Sequence, residues 1–283
     1  MSQGSFLARL HERLQVLLPP RFRARFPVIP VVRLSGVIGA VLPLRPGLSL
    51  SAVAPMLERA FTTRGAKAVA IIVNSPGGSA VQSHLIFRRI RAHADESKLP
   101  VFVFIEDAAA SGGYMIACAG DEIFADPSSL VGSIGVVSAG FGFDRLIERF
   151  GIERRLHTAG ESKAMLDPFR PERPADLERL QAIQANVHAA FRDLVQARRG
   201  ARLRGAPDDL FSGAVWTGGE ALPLGLIDGL GEIRTILRER YGDKLDLRVI
   251  PPARGSLLAR WLGGRIVPGT SDEGGAPDLP LRL

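Results

Sequence analysis

Two runs of apolar residues without polar alternation stand out along the chain, Ala68-Val69-Ala70-Ile71-Ile72-Val73 and Val101-Phe102-Val103-Phe104-Ile105. Runs of this length and kind predict strands buried on both faces. Around them the period changes. Val53, Met56, Leu57, Ala60 and Phe61 recur at helical spacing over Ser51 to Thr63, and a second helix is predicted from about Ala80 to His93. Val31 to Leu34 forms an earlier strand, which Gly36-Val37-Ile38-Gly39 continues into a glycine-rich loop. Strand, helix, strand, helix in this rhythm predicts an α/β fold with a mostly parallel sheet, right-handed crossovers and flanking helices.

Farther on, Glu122 to Ala125 and Gly132 to Val137 read as short strands, and a helix from Phe143 to Phe150 carries Leu146, Ile147 and Phe150 on one face. A strand near Arg154 to Thr158 is expected next. The apolar stripe Leu177, Leu180, Ile183, Val187, Phe191, Leu194 and Val195 then marks a long helix over Ala175 to Arg199. Val215-Trp216-Thr217-Gly218 opens the last globular segment, which turns at Leu226-Ile227-Asp228-Gly229 and ends in a helix reaching Tyr241. The expected organisation is an amphipathic basic arm over 1–27, one folded domain over 28–250, and a disordered Gly/Pro/Arg-rich tail over 251–283.

With 283 residues and 46% hydrophobic content, the chain can bury a sizeable core. Its single cysteine, Cys118, excludes an intrachain disulfide and a Cys-rich metal site, and its small-residue surroundings point to core packing. The net charge of +7 permits attraction to nucleic acid or anionic lipid. Aromatic residues make up 6% of the chain and build no stacking platform among the basic ones, so no nucleic-acid partner is expected. No apolar run approaches the ~20 residues of a membrane span. The first apolar stretches, broken by Arg9, His11, Glu12 and Arg13, do not read as a secretory signal. The expected location is the cytoplasm, with the arm offering peripheral contact at the inner face of the cell membrane.

The candidate chemistry centres on Asp107-Ala108-Ala109-Ala110-Ser111-Gly112-Gly113-Tyr114, between a buried strand and a small-residue helix. A serine at the mouth of a helix is first of all an N-cap. Here, however, glycines and a lone downstream lysine supply what a nucleophile needs. A serine hydroxyl requires a base, and of the five histidines only His157 falls near an active-site loop, with no acidic motif to complete a triad. Lysines occur only at Lys67, Lys98, Lys163 and Lys244. Lys163 is the best candidate base, although taken alone it reads as an exposed loop lysine. Desolvation would suit it to the task. Gly77, Gly78 and Gly112 are candidate oxyanion donors through their backbone N–H groups. Neither glycine loop matches a phosphate-binding or dinucleotide fingerprint, and no cofactor or metal is expected.

Asn74-Ser75-Pro76-Gly77-Gly78, Ala109-Ala110-Ser111-Gly112-Gly113-Tyr114, Gly132-Ser133-Ile134-Gly135-Val136, Lys163, Val215-Trp216-Thr217-Gly218 and Leu226-Ile227-Asp228-Gly229-Leu230-Gly231 occur together and in order. This set resembles signal peptide peptidase A (peptidase family S49) of the single-domain type, within the Clp protease and crotonase fold, over about Val31 to Ile250. The resemblance implies a fold of repeated β-β-α and βαβ units and a serine endopeptidase. Ser111 would be its nucleophile, Lys163 its general base, and Gly112 with the Gly77-Gly78 turn its oxyanion hole. It further implies remnant signal peptides or other apolar membrane-derived peptides as substrates. The partner would be a second copy of the chain, in a homo-oligomeric ring or dome with active sites shared between subunits. A crotonase-like acyl-CoA enzyme and a non-catalytic peptide-binding scaffold are the rival readings.

Overall fold

The computed structural model describes residues 26–252, apart from 40, 43, 44 and 161. Except for residues 26–27 and 251–252, the expected arm and tail lie outside the described residues.

The buried runs of the sequence become the centre of one sheet. Strands β1 (Val28–Ser35), β4 (Val69–Ser75), β5 (Val101–Ala110) and β6 (Glu122–Ala125) pair in parallel, with β10 (Asp246–Val249) beyond β1 and β9 (Gly229–Leu230) beyond β6. The first crossover carries a two-strand ribbon, β2 (Val41–Leu42) and β3 (Arg45–Pro46), followed by helix α1 (Leu50–Phe61). Helix α2 (Ala80–Ser97) makes the second crossover, and α3 (Gly112–Ala117) leads from β5 to β6. The single antiparallel ladder of this sheet joins β7 (Leu130–Gly132), itself parallel to β5, to β8 (Val215–Thr217). Between them lie α4 (Asp144–Arg149), the long α5 (Pro174–Arg199) and the short α6 (Pro207–Leu210); α7 (Gly218–Ala221) and α8 (Ile233–Tyr241) follow β8.

Alternation along β5 explains why its whole run is apolar. Successive side chains point to opposite faces. Val101, Val103 and Ile105 join the core beneath α1, α2 and α3, whereas Phe102 and Phe104 turn to a second core with Phe124 and Leu237. Burial of one such side chain stabilises the fold by about 1.5–3 kcal/mol.

Two expectations change in the structure. The strand predicted to Val137 ends at Gly132, and residues 152–158 form no strand. Helix α4 forms as predicted but buries none of its residues. Its apolar side chains face outward, with Leu146 50% and the adjacent Phe150 74% exposed. Without a partner edge among the described residues, local sequence alone does not make a strand there.

Candidate active site

Parallel strands bring their carboxyl ends to one edge of the sheet, where β4 and β5 end side by side. Their pairing slips after Val73 so that Ser75 faces Ala109, and Asn74 Nδ2 donates to Asp107 Oδ2 across the pair at 2.7 Å. Such an irregularity re-aims the residues that follow. One strand runs on into Pro76-Gly77-Gly78, the other into Ser111.

Ser111 has φ 52° and ψ −122°. A non-glycine residue in so sparsely populated a conformation costs on the order of 1–3 kcal/mol. The turn is a sharp strand-to-helix elbow of the kind that lifts a nucleophile clear of a sheet. Its backbone is fixed on both sides: the N–H donates to the Gly132 carbonyl at 2.7 Å, and the carbonyl accepts from Met115 at 3.0 Å. Among the described residues nothing ties down the side chain. It makes no capping hydrogen bond to α3, so the cap role that a serine here first suggests is not the one it plays.

The glycine turn lies directly against this elbow. A Cβ on Gly77 would come within 2.8 Å of Ser111 Cβ and 3.0 Å of the Gly112 nitrogen, and φ is 105° at Gly77 and 140° at Gly78. Only glycine tolerates both the approach and the conformation. The amides of the turn have different fates. Gly77 donates its N–H to Ser75 Oγ at 3.1 Å. Ile38 donates to the Gly77 carbonyl at 2.8 Å, and Ser79 donates to the Ile38 carbonyl at 2.9 Å. In this parallel bridge Gly78 sits between the two bonds with its own N–H turned away from Ile38. Among the described residues nothing accepts from that N–H. Gly112 opens α3, where the first amides of a helix have no intrahelical acceptor.

Ser111, Gly78 and Gly112 line a groove of about 490 Å³, a size suited to a side chain or short peptide. Met115, Val136, Val187 and Phe191 make its walls apolar, and Ser133 and Ser212 also line it. The sequence does not single out Met115, Val187 or Phe191 as wall residues: Val187 and Phe191 belong to a helical stripe that reads simply as core. Ser133 carries a signal, since it lies between glycine and isoleucine in a glycine-flanked motif and adopts φ 53°.

Lys163 lies apart from this cluster. It is exposed in a turn over 162–166, where its N–H donates to the Gly160 carbonyl at 3.2 Å, and it is not among the groove-lining residues. Asp176 holds the end of that turn, and Asp167 holds the bend that follows it. The Phe169 N–H, backed by Arg154, draws the Asp167 carboxyl below its ordinary range, and Arg173 does the same for Asp176, which also accepts from the Leu166 N–H. His157 is exposed as well, and among the described residues no histidine lines the groove.

Behind the elbow the helix is clamped. Tyr114 Oη donates to the Leu226 carbonyl at 2.8 Å. Arg199, buried on α5, pairs with Asp228 at 2.6 Å, and Asp228 also accepts from the Ile123 N–H. Burial pushes the Cys118 thiol up to about 12, which removes it from thiolate chemistry and leaves the packing role. The Leu226 to Asp228 segment thus fixes the back of the helix that follows Ser111.

The sequence model described as Peptidase family S49 matches residues 93–244, more than half of the 283-residue chain. The chain belongs to peptidase family S49. The serine protease SPPA, chloroplastic, of Arabidopsis thaliana is 34% identical over 213 residues, which cover 72% of this S49 chain and 30% of that protein. A Brucella abortus protein named Na(+)/H(+) antiporter NhaA is 56% identical over 264 residues, 93% of this chain and 35% of its own length. The chain therefore spans about a third of the length of these curated relatives. Most of the protein that bears the antiporter name lies outside the aligned stretch. Among solved structures, a lysine-to-alanine variant of the 1510-N membrane-bound stomatin-specific protease, in complex with a substrate peptide, matches with a TM-score of 0.50 at 18% identity. The match covers 84% of this chain and 99% of that one, and it concerns the fold. The mostly parallel sheet with flanking helices is accordingly the Clp protease and crotonase-like architecture expected of an S49 chain.

Proposed function

We propose that this S49 chain is a serine endopeptidase in which Ser111 is the nucleophile and Lys163 of a second copy is the general base. The observation that carries the reading is the Ser111 elbow, a hydroxyl without a capping role held in a strained turn on one groove with Gly78 and Gly112, whose N–H groups have no acceptor among the described residues. Ser111 Oγ attacks a peptide carbonyl while the lysine takes its proton. The Gly78 and Gly112 N–H groups receive the oxyanion, the lysine passes the proton to the leaving amine, and water then hydrolyses the ester. The apolar walls from Met115, Val187 and Phe191 favour small or apolar side chains at the scissile site, in keeping with remnant signal peptides or other membrane-derived peptides.

The need for a second copy is supported by the exposed position of Lys163 and, separately, by apolar side chains that one chain leaves exposed. Val137 is 87%, Phe141 80% and Phe150 74% exposed. Exposed apolar side chains of this kind mark an interaction site, and a subunit that covered Lys163 as well would desolvate it, which favours its neutral form. Among the described residues no helix is long and apolar enough to cross a membrane. Peripheral contact through the basic arm is the proposed route to membrane substrates, and loss of vesicle flotation on deleting residues 1–26 is its test.

Mass spectrometry of peptides digested by the wild-type protein and by Ser111→Ala tests the activity. Cleavage of apolar peptides by the former alone is expected. Equal cleavage by both would refute the assignment, and turnover of a CoA thioester without peptide cleavage would favour the crotonase-like alternative.

A further inference from the structure

Behind the glycine turn lies a buried hydroxyl that the chemistry above does not use. Ser75 is fully buried at the end of β4. Its Oγ donates to the Gly36 carbonyl at 2.6 Å and accepts the Gly77 N–H at 3.1 Å. One oxygen therefore joins β4, the loop after β1 and the glycine turn. The nucleophile's helix is packed against the same residue: a Cβ on Gly113 would lie 2.6 Å from the Ser75 carbonyl oxygen. Gly77 is itself buried, so removing the hydroxyl would leave its N–H without an acceptor and away from solvent, which costs more than the bond alone.

We infer that Ser75 is a positioning residue for oxyanion stabilisation, an assignment that rests on the Ser111 reading above. By engaging the Gly77 N–H it fixes the peptide plane before Gly77 and, with Ile38 bonded on the other side, leaves Gly78 as the amide offered by the turn. With glycine at both positions, no side chain resists rotation of the turn, so its orientation depends on these hydrogen bonds. A misdirected donor is felt in turnover and not in binding, because the oxyanion exists only along the reaction path.

The test compares Ser75→Ala and Ser75→Cys in the full chain with the wild type and Ser111→Ala, using one apolar peptide. Ser75→Ala is expected to lower kcat about 10- to 100-fold, the scale of a displaced catalytic group, with KM within about twofold. Ser75→Cys should fall between it and the wild type, since a thiol is a weak donor and acceptor. Amide exchange at Gly77 should accelerate in Ser75→Ala while the interior of β4 keeps its protection. A kcat close to the wild-type value, a loss carried by KM, or unfolding of both variants would overturn the inference. Absence of cleavage by the wild type would instead show in the two controls that the Ser111 reading itself fails, and the positioning role would fall with it.

Discussion

The Ser111 N–H donates to the Gly132 carbonyl at 2.7 Å, so the elbow that presents the hydroxyl is bound to the strand leading into the groove wall. This bond belongs to the backbone. Ser111→Ala should therefore keep the fold and the assembly while losing peptide cleavage by at least about 10³-fold, the scale for loss of a nucleophile acting with its base. Steady-state kinetics alongside circular dichroism and light scattering check both halves of the expectation.

Arg199 and Asp228 form the buried clamp behind that elbow, at 2.6 Å with Arg199 1% exposed. Removing one partner strands the other charge. Asp228→Ala should destabilise the chain by about 3 kcal/mol, lowering Tm by about 6–12 °C. Calorimetry of the variant measures this. Arg202, which also reaches Asp228 at 3.4 Å on the surface, should matter less when replaced by alanine.

Asp167 and Asp176 give the Lys163 turn a pH dependence whose sign follows from their lowered values. The folded carboxyls hold their charge below the unfolded range near about 3.9, so their stabilisation is complete above that value. It disappears as pH falls through the lower folded values. Hydrogen-exchange protection over 162–176, taken relative to the intrinsic rate at each pH, should fall below about pH 4, while β4 and β5 remain protected. No change in that segment between pH 6 and pH 3 would contradict the account.

Helix α4 and the residues after it offer a test of the proposed link between activity and assembly. Phe150 and Ile152 are 74% and 58% exposed and contribute little to the core of one chain. Phe150→Ser with Ile152→Ser should leave the melting transition of the domain nearly unchanged, shift light scattering toward smaller species, and reduce cleavage in parallel. Mixing assembled Ser111→Ala with Lys163→Ala extends the same idea. If the two groups come from neighbouring copies in a head-to-tail ring, random co-assembly restores intact pairs at about a quarter of the sites.

Much of this was legible along the chain, for physical reasons that differ from place to place. Val101 to Ile105 and Ala68 to Val73 could be read because burial on both faces removes every polar position from a strand. The Ser111 and Gly77-Gly78 loops could be placed on one edge because parallel strands share a direction. The strand expected near Arg154 to Thr158 could not be read correctly, since strand formation depends on an available neighbouring edge, which local sequence does not reveal. Val187 and Phe191 looked like core because a helical stripe does not say whether it meets another helix or a groove. Lys163 does not line the groove that holds Ser111, and the proposed source of their relation, a second subunit, leaves no spacing signal in the sequence.

The central claim is that Ser111 is the activated nucleophile and depends on Lys163. Mapping the adduct of a fluorophosphonate probe by tandem mass spectrometry tests it most directly, with the assembled wild-type, Ser111→Ala and Lys163→Ala proteins compared. Modification of Ser111 in the wild type and none in either variant is the predicted result. A probe attached to another residue, or Ser111 labelled at the wild-type rate in Lys163→Ala, would contradict it.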